Sequence, residues 1–281
     1  MAITLRCGDR AFALGERTLV MGIVNVTPDS FSDGGRFLGV DAAVDHALRL
    51  LDDGADVLDL GGESTRPGAA EISAADELAR VLPVVERLTA RGVRCLSIDT
   101  RRATVAAACL AAGAAWVNDV SALRDDADMA AVAASADAVV LMHRREMNAD
   151  SSGDDVSYRD VLGEVHGFLA ERVAAAVHAG VARDRIVIDP GLGFGKSVDD
   201  NLRLLQATAR LRGVAPVLVG PSRKRFLGAV TGIERADQRD AATHGAVALA
   251  ALAGADLVRV HDVKGAVAVA RVVRAARSVR S

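Results

Sequence analysis

Eight short runs of aliphatic and β-branched residues recur along the chain, each following an alanine-rich stretch and each giving way to polar or glycine-rich sequence. They read LVMGIVN to Asn25, DVLDL to Leu60, RCLSID to Asp99, AWVND to Asp119, AVVLMH to His143, RIVID to Asp189, PVLVG to Gly220 and DLVRVH to His261. Seven steps of about 34 residues separate Asn25 from His261, against the roughly 30 that a strand, crossover helix and parallel strand require. The runs are nearly continuously apolar rather than alternating, the pattern of parallel strands covered on both faces. Between them, residues 42–51, 74–88, 158–178 and 241–253 carry apolar side chains three and four apart, which predicts amphipathic helices. Gly54, Gly92, Gly113, Gly180 and Gly254 fall just before the next run, where a left-handed residue ends a helix and turns the chain back. Eight such units predict an α/β protein, a (β/α)8 TIM barrel forming one domain over residues 1–281. An open doubly wound sheet is the alternative, because periodicity does not show closure. The first nineteen residues break the rhythm, and the turn-like Cys7-Gly8-Asp9 predicts a short hairpin that plugs the barrel bottom.

Composition narrows the function classes. With 281 residues, 51% hydrophobic and 25% charged, the chain can bury a full core, so disorder is excluded as the default. Its 34 basic and 37 acidic residues leave a net charge of -3 with no dense basic run, which argues against nucleic-acid binding. Cys7, Cys95 and Cys109 are odd in number and lack a CxxC pairing, so neither a disulfide framework nor a zinc site is indicated and a reducing cytoplasm is expected. No signal-like segment and no apolar run of the ~20 residues needed to span a bilayer is present, so no membrane association is expected. Only three lysines occur, Lys196, Lys224 and Lys264, which singles each of them out.

Barrel enzymes place their chemistry at the carboxyl ends of the strands, and here those ends are polar. The first runs into TPDSFSDGG after Asn25, and the second into LDLGGESTRPGA with Asp59, Glu63, Ser64, Thr65 and Arg66. Two aperiodic loops on one face read as covers over a site. Asp99, Asn118, Asp119 and Asp189 end further strands. Asp119 reads as a cap, its neighbour Asn118 pointing to the opposite side. Asp99 and Asp189 read as inward carboxylates kept for a ligand, such as a heterocycle presenting two N–H donors side by side. DPGLGFGKS mimics a phosphate loop, but GxxxxGK would need glycine at Pro190 and GxGxxG glycine at Lys196, so its glycines read as turn formers. GPSRKRFLG places Ser222, Arg223, Lys224 and Arg225 at a helix start, and Arg259 and His261, two apart on a strand, share a face. With Lys224 they read as an anion site, electrostatic rather than covalent, since no GxSxG elbow occurs. His143 reads as structural.

Taken together, VNVTPDSFSDGG, DLGGESTRPGA, SIDT, VNDVSA, LMH, DPGLGFGK, VGPSRKRFLG and RVHDV resemble the dihydropteroate synthase family, in family order from Val24 to Val263. The resemblance implies a (β/α)8 barrel, often a homodimer, that joins 4-aminobenzoate to 6-hydroxymethyl-7,8-dihydropterin diphosphate in folate biosynthesis and releases pyrophosphate. Matched by motif, Asp99, Asn118, Asp189 and Lys224 would hold the pterin. Asn25 would help hold a Mg2+ ion carried on the diphosphate, and Arg259 and His261 would bind the diphosphate. Phe31, Thr65, Pro67, Phe194 and Ser222 match positions around the aminobenzoate, and Asp33 and Arg66 match charged loop residues linked to turnover. Lys224, Asp33, Arg259 and His261 are thus the implied catalytic set. The segment HRREMNADSSGDD departs from the methionine, glycine and proline loop of many members. Two readings of other classes compete: a non-catalytic pterin-binding paralogue, and a pterin-binding methyltransferase barrel working with a corrinoid protein.

Overall fold

The computed structural model describes residues 3–26, 35–64, 70–145 and 158–279, with backbone alone for 35–38. A hairpin comes first, β1 (Thr4–Cys7) and β2 (Arg10–Ala13), antiparallel with Cys7 opposite Arg10. Its two-residue turn needs the left-handed Gly8 (φ +62°), where a side chain would meet Arg94 at 2.6 Å. The Gly8 N–H donates to Asp137 at 2.8 Å, which fastens the turn.

Then follow β3 (Leu19–Asn25), α1 (Gly35–Asp52), β4 (Val57–Gly61), α2 (Ala74–Ala90), β5 (Leu96–Asp99), α3 (Ala103–Ala111), β6 (Trp116–Asp119), α4 (Met129–Ala133) and β7 (Ala138–Met142). The second half comprises α5 (Val161–His178), β8 (Ile186–Asp189), α6 (Val198–Gln206), α7 (Thr208–Leu211), β9 (Leu218–Val219), α8 (Arg225–Thr231), α9 (Asp240–Leu252), β10 (Leu257–Val260) and α10 (Val263–Ser278). All eight expected strands form and pair in parallel in the order β8-β7-β6-β5-β4-β3-β10-β9, and a bridge between Ile188 and Val217 joins the two edges. The barrel therefore replaces the open-sheet alternative. At the seam β9 is short for a local reason: Pro216 has no N–H to give, and the Val217 N–H is spent on Asp256 at 3.0 Å.

Each strand serves two cores. Val20, Val24, Leu58, Leu60, Ile98 and Val139 pack outward under the helices, whereas Leu19, Met21, Val57, Ala138, Val140 and Val187 fill the interior. That double burial explains the unbroken apolar runs. Leu5, Cys7, Phe12 and Leu14 of the hairpin join the interior cluster, so the hairpin closes the end of the barrel as the sequence implied. The fully buried Trp116 locks it in place by donating its indole N–H to the Arg6 carbonyl at 2.6 Å.

Helices end where the glycines predict: Gly54, Gly92, Gly113, Gly180 and Gly254 all have φ between +81° and +103°. One boundary differs. Residues 158–160 lie outside α5, because the Asp160 carboxylate accepts the Gly163 N–H and acts as its N-cap.

Replacing Trp116 by Phe should keep an aromatic ring but lose the hydrogen bond to the Arg6 carbonyl. The expected loss is about 0.5–1.5 kcal/mol, read from urea unfolding of the variant against the parent.

Candidate active site

The strand ends at one mouth of the barrel gather acids and cations. Parallel pairing sets Asp59 beside Ser97, Gly61 beside Asp99, and Asp99 beside Asn118. At the centre lies Arg259 of β10. Its Nε donates to Asp59 Oδ2 at 2.6 Å and its Nη2 to Asp99 Oδ2 at 2.7 Å. Asp59 Oδ2 also accepts from Asn118 Nδ2 at 2.9 Å, while Asp59 Oδ1 is buried with no hydrogen-bond partner among the described residues. Three residues of the site are thus tied together through a carboxylate that has no exposure at all. Asp59 stood out in the sequence only as one of several polar residues near a loop; neither its spacing nor the family motif marks its role.

Asp189, at the end of β8, turns inward. Its Oδ1 accepts the Gly191 N–H at 2.7 Å, and its Oδ2 faces Gly220, where no side chain intrudes. Lys224 stands nearby with its ammonium 4.1 Å from the centre of the Phe194 ring, a cation–π contact. Burial sets the ionisation here. It pushes the Asp99 carboxyl up to about 7, opposed by Arg259 and reinforced by Asp59. It also raises Asp189 against the Gly191 N–H and Lys224, and lowers Lys224 to about 8 with help from Arg259. Two cations among three acids leave the pocket with a deficit of positive charge, which adds to burial in raising the proton affinity of Asp99.

Lys224 owes its position to a strained turn. The expected helix start at Ser222 is a correction: α8 begins at Arg225, and Arg223 before it is left-handed at φ +57°. The turn is held because the Arg223 N–H donates to Thr243 Oγ1 at 3.0 Å, its guanidinium pairs with Asp240 at 2.7 Å, and its carbonyl accepts from Arg239. Arg223 therefore faces away from the site. Ser222 Oγ lies 2.8 Å from His261 Nδ1 and accepts the His261 N–H at 3.1 Å, joining β9 to β10. Arg259 lies in β10 and His261 just past its end, and the two take different partners, Arg259 the acids and His261 the serine.

The two covering loops lie largely outside the described residues, and with them Phe31, Asp33, Thr65, Arg66 and Pro67. The base of the second loop is described, and it is clasped. Glu63 before the loop accepts the Ile72 N–H after it at 3.2 Å, and Arg102 reaches both Glu63 at 2.9 Å and the Ile72 carbonyl at 2.5 Å. Buried Glu77 accepts from the same Arg102 Nη1 at 2.5 Å. Arg102 and Glu77 belong to no motif that sequence reading picked out. Asp119 caps the turn after β6 by accepting from Ser121 at 2.7 Å and Leu123 at 2.8 Å, as its sequence position suggested. Asn25 ends β3 half-buried at the same mouth, and among the described residues no group of three or more His, Cys, Asp or Glu side chains forms a metal cage.

The model of the pterin binding enzyme family matches residues 21–261. A dihydropteroate synthase of Mycobacterium leprae is 49% identical over 263 residues, covering 91% of this chain and 92% of the relative. The solved dihydropteroate synthase of Xanthomonas albilineans with 4-aminobenzoic acid superposes with a TM-score of 0.91 at 49% identity over 99% of both chains. A structure of the Xanthomonas albilineans enzyme in complex with 7,8-dihydropteroate superposes with a TM-score of 0.87 at 46% identity, covering 98% of this chain and 99% of that one.

Two tests follow from the charge arrangement. Between its usual 3.8 and about 7, folded Asp99 binds a proton that the unfolded chain has released, so its contribution lowers stability as pH rises through that window. Urea melts across the window should show a flatter pH dependence for Asp99→Asn. Arg259→Met would leave Asp59 and Asp99 buried without their cation, and equilibrium unfolding at neutral pH should register a loss on the order of 3–5 kcal/mol.

Proposed function

This chain belongs to the pterin-binding enzyme family and, within it, to the dihydropteroate synthases, and from that premise we propose how its barrel mouth performs the transfer. The substrates are 6-hydroxymethyl-7,8-dihydropterin diphosphate and 4-aminobenzoate; the products are 7,8-dihydropteroate and pyrophosphate. The observation that carries the assignment of roles is the convergence of Asp59, Asp99, Asn118 and Asp189 with Arg259 and Lys224 on one mouth.

The pterin takes the acid-lined interior. Asp189 accepts from its 2-amino and N3 edge with both carboxylate oxygens, Oδ1 keeping a free lone pair beside the Gly191 N–H, a bidentate match favoured in a buried site. Asn118 and Asp99 line the same pocket, and Lys224 bounds it. The diphosphate then lies toward the rim near His261, with Arg259 beneath it at the junction of the two subsites. The aminobenzoate approaches past Phe194 and Ser222, and the resemblance adds Phe31, Thr65 and Pro67 to its surroundings and links Asp33 and Arg66 to turnover.

In the chemical step, the bond between the pterin methylene carbon and the diphosphate oxygen breaks, and its electron pair leaves with pyrophosphate. The electron-rich pterin stabilises the developing cation, and the amine nitrogen forms the new bond and releases a proton to solvent. No strong base is needed. Lys224, Arg259 and His261 oppose the growing negative charge, and the loops exclude water that would compete with the amine.

Mg2+ fits this site as an ion that travels with the diphosphate. Asn25 offers one hard oxygen donor, and such an ion takes its remaining ligands from phosphate oxygens and water. Bound there, it would neutralise charge on the departing pyrophosphate. A homodimer is supported by Leu249 and Leu252 of α9 and Val272 of α10, apolar residues 50–68% exposed on two helices that pack together. Three free cysteines accord with a reducing cytoplasm, and among the described residues no helix is long and apolar enough to cross a membrane.

Cations at the rim beside a heterocycle pocket favour the transferase over a pterin-binding paralogue without turnover, and over a methyl-transfer barrel that handles no diphosphate. The test is pyrophosphate release by purified protein with Mg2+ and the pterin diphosphate, with and without 4-aminobenzoate, and mass spectrometry of the product. Amine-dependent release with dihydropteroate is expected; pterin binding without release would select the non-catalytic reading. In the same assay Lys224→Ala should lose about 10²–10³ in turnover, as removal of one preorganised charge stabiliser does. Near-normal turnover would remove Lys224 from the mechanism.

A further inference from the structure

Lys196 is a buried lysine whose ammonium makes its direct hydrogen bonds to neutral acceptors. Nζ lies 3.0 Å from His143 Nδ1, 2.9 Å from the Gly191 carbonyl, 3.1 Å from the Phe194 carbonyl and 3.4 Å from the His143 carbonyl. Residues 190–197, the loop after β8, therefore wrap around it, while His143 belongs to the end of β7. The loop fits tightly against that strand end: Gly191 is left-handed at φ +66°, and a side chain there would sit 1.9 Å from the His143 carbonyl oxygen. From the other side Asn201 of α6 accepts the Gly193 N–H at 2.7 Å and donates to the Ser197 carbonyl at 2.6 Å.

The outer surface of the same loop touches the site. Gly191 gives its N–H to Asp189; Gly193 lies so close to Lys224 that a side chain would come within 3.0 Å of its stem; Phe194 places its ring against the Lys224 ammonium. A contiguous set of contacts thus runs from the Lys196 ammonium, through two loop carbonyls, to the carboxylate and the lysine assigned to the pterin.

We propose that Lys196 is a positioning residue, an internal staple that ties the loop after β8 to the end of β7 and so holds Asp189, Phe194 and Lys224 in register for the reaction. The proposal rests on the functional reading above for what those three residues do. It carries a consequence for His143. An ammonium can only donate, so His143 Nδ1 accepts and the neutral ring keeps its proton on Nε2. Burial followed by the Lys196 charge holds the imidazole down at about 3, in agreement with that geometry. The charged groups acting on Lys196 are Asp189, Lys224 and Asp200; burial outweighs the favourable acids and lowers the ammonium to about 7.

The experiment pairs imidazole ¹⁵N NMR with ligand titrations of the full chain. In the parent protein His143 should stay neutral as the Nε2–H tautomer between about pH 5 and 6, where Lys196 keeps its proton and an ordinary histidine is largely protonated. A Nδ1–H tautomer there would overturn the staple without any variant being made. Lys196→Met should weaken binding of 6-hydroxymethylpterin roughly tenfold or more, the equivalent of a lost charge-assisted hydrogen bond. It should weaken binding of pyrophosphate alone less than that of the pterin, since Arg259 and His261 lie outside the stapled loop, and lower kcat/KM by about 10²-fold through misplaced reacting groups. Lys196→Arg, which keeps donors in the loop, should recover part of the pterin affinity, and it serves as the folded comparison should the methionine variant not fold. A folded Lys196→Met protein with parental pterin affinity would reject the proposal. Failure of the parent itself to bind pterin would instead reject the functional reading, while the His143 tautomer would still decide the staple.

Discussion

Arg259 lies in the mouth of the barrel because two carboxylates on neighbouring strands bind it there, and much of the site is arranged around that fact. A buried guanidinium is costly unless its donors are matched, and Asp59 and Asp99 match two of them at 2.6 and 2.7 Å. The same Asp59 oxygen takes the Asn118 amide, so three strands that are far apart in sequence meet through one charged group. With Lys224 and Asp189 added, the pocket sets two cations against three acids. Burial and the neighbouring acid then push Asp99 up to about 7, within reach of neutral pH. A site with its charges already ordered can stabilise a departing anion without having to reorganise.

The loops around this cluster are fixed by local devices of different kinds. Lys224 is presented by a left-handed arginine that Asp240, Thr243 and Arg239 hold in place. Phe194 and Gly191 are held from within by Lys196, and the second covering loop is clasped at its base by Glu63 and Arg102. In each case a strained or irregular backbone is stabilised by polar contacts made within the loop or from a neighbouring unit of the barrel. The barrel supplies rigid strand ends, and these contacts transfer that rigidity to the residues just beyond them.

What could be read before folding was considerable, and it was of one kind. The eight apolar runs, the glycine stops and the hairpin turn are local patterns whose physical meaning does not depend on distant residues, and each corresponds to an observed element. Inward placement of Asp99 and Asp189 followed from their position at strand ends. Motif resemblance then indicated the reaction. What was missed, or seen without its meaning, depended on partners remote in the chain: Asp59 with Arg259, Arg102 with Glu77, and Lys196 with His143. Where a local prediction failed, a longer-range contact had prevailed, as at the turn before α8, where Thr243 and Asp240 hold Arg223 out of the helix.

The sequence by itself determined the periodic architecture, the closing hairpin and the chemical family of the site, because hydrophobic period, turn chemistry and motif content are properties of short segments. Only the tertiary structure decided that the sheet closes, that Arg259 is held by acids rather than paired with His261, and that a lone lysine in a glycine-rich loop is an internal staple. Those outcomes depend on which side chains share a few ångströms of low-dielectric interior. There, the cost of burying a charge selects its partners from anywhere along the chain.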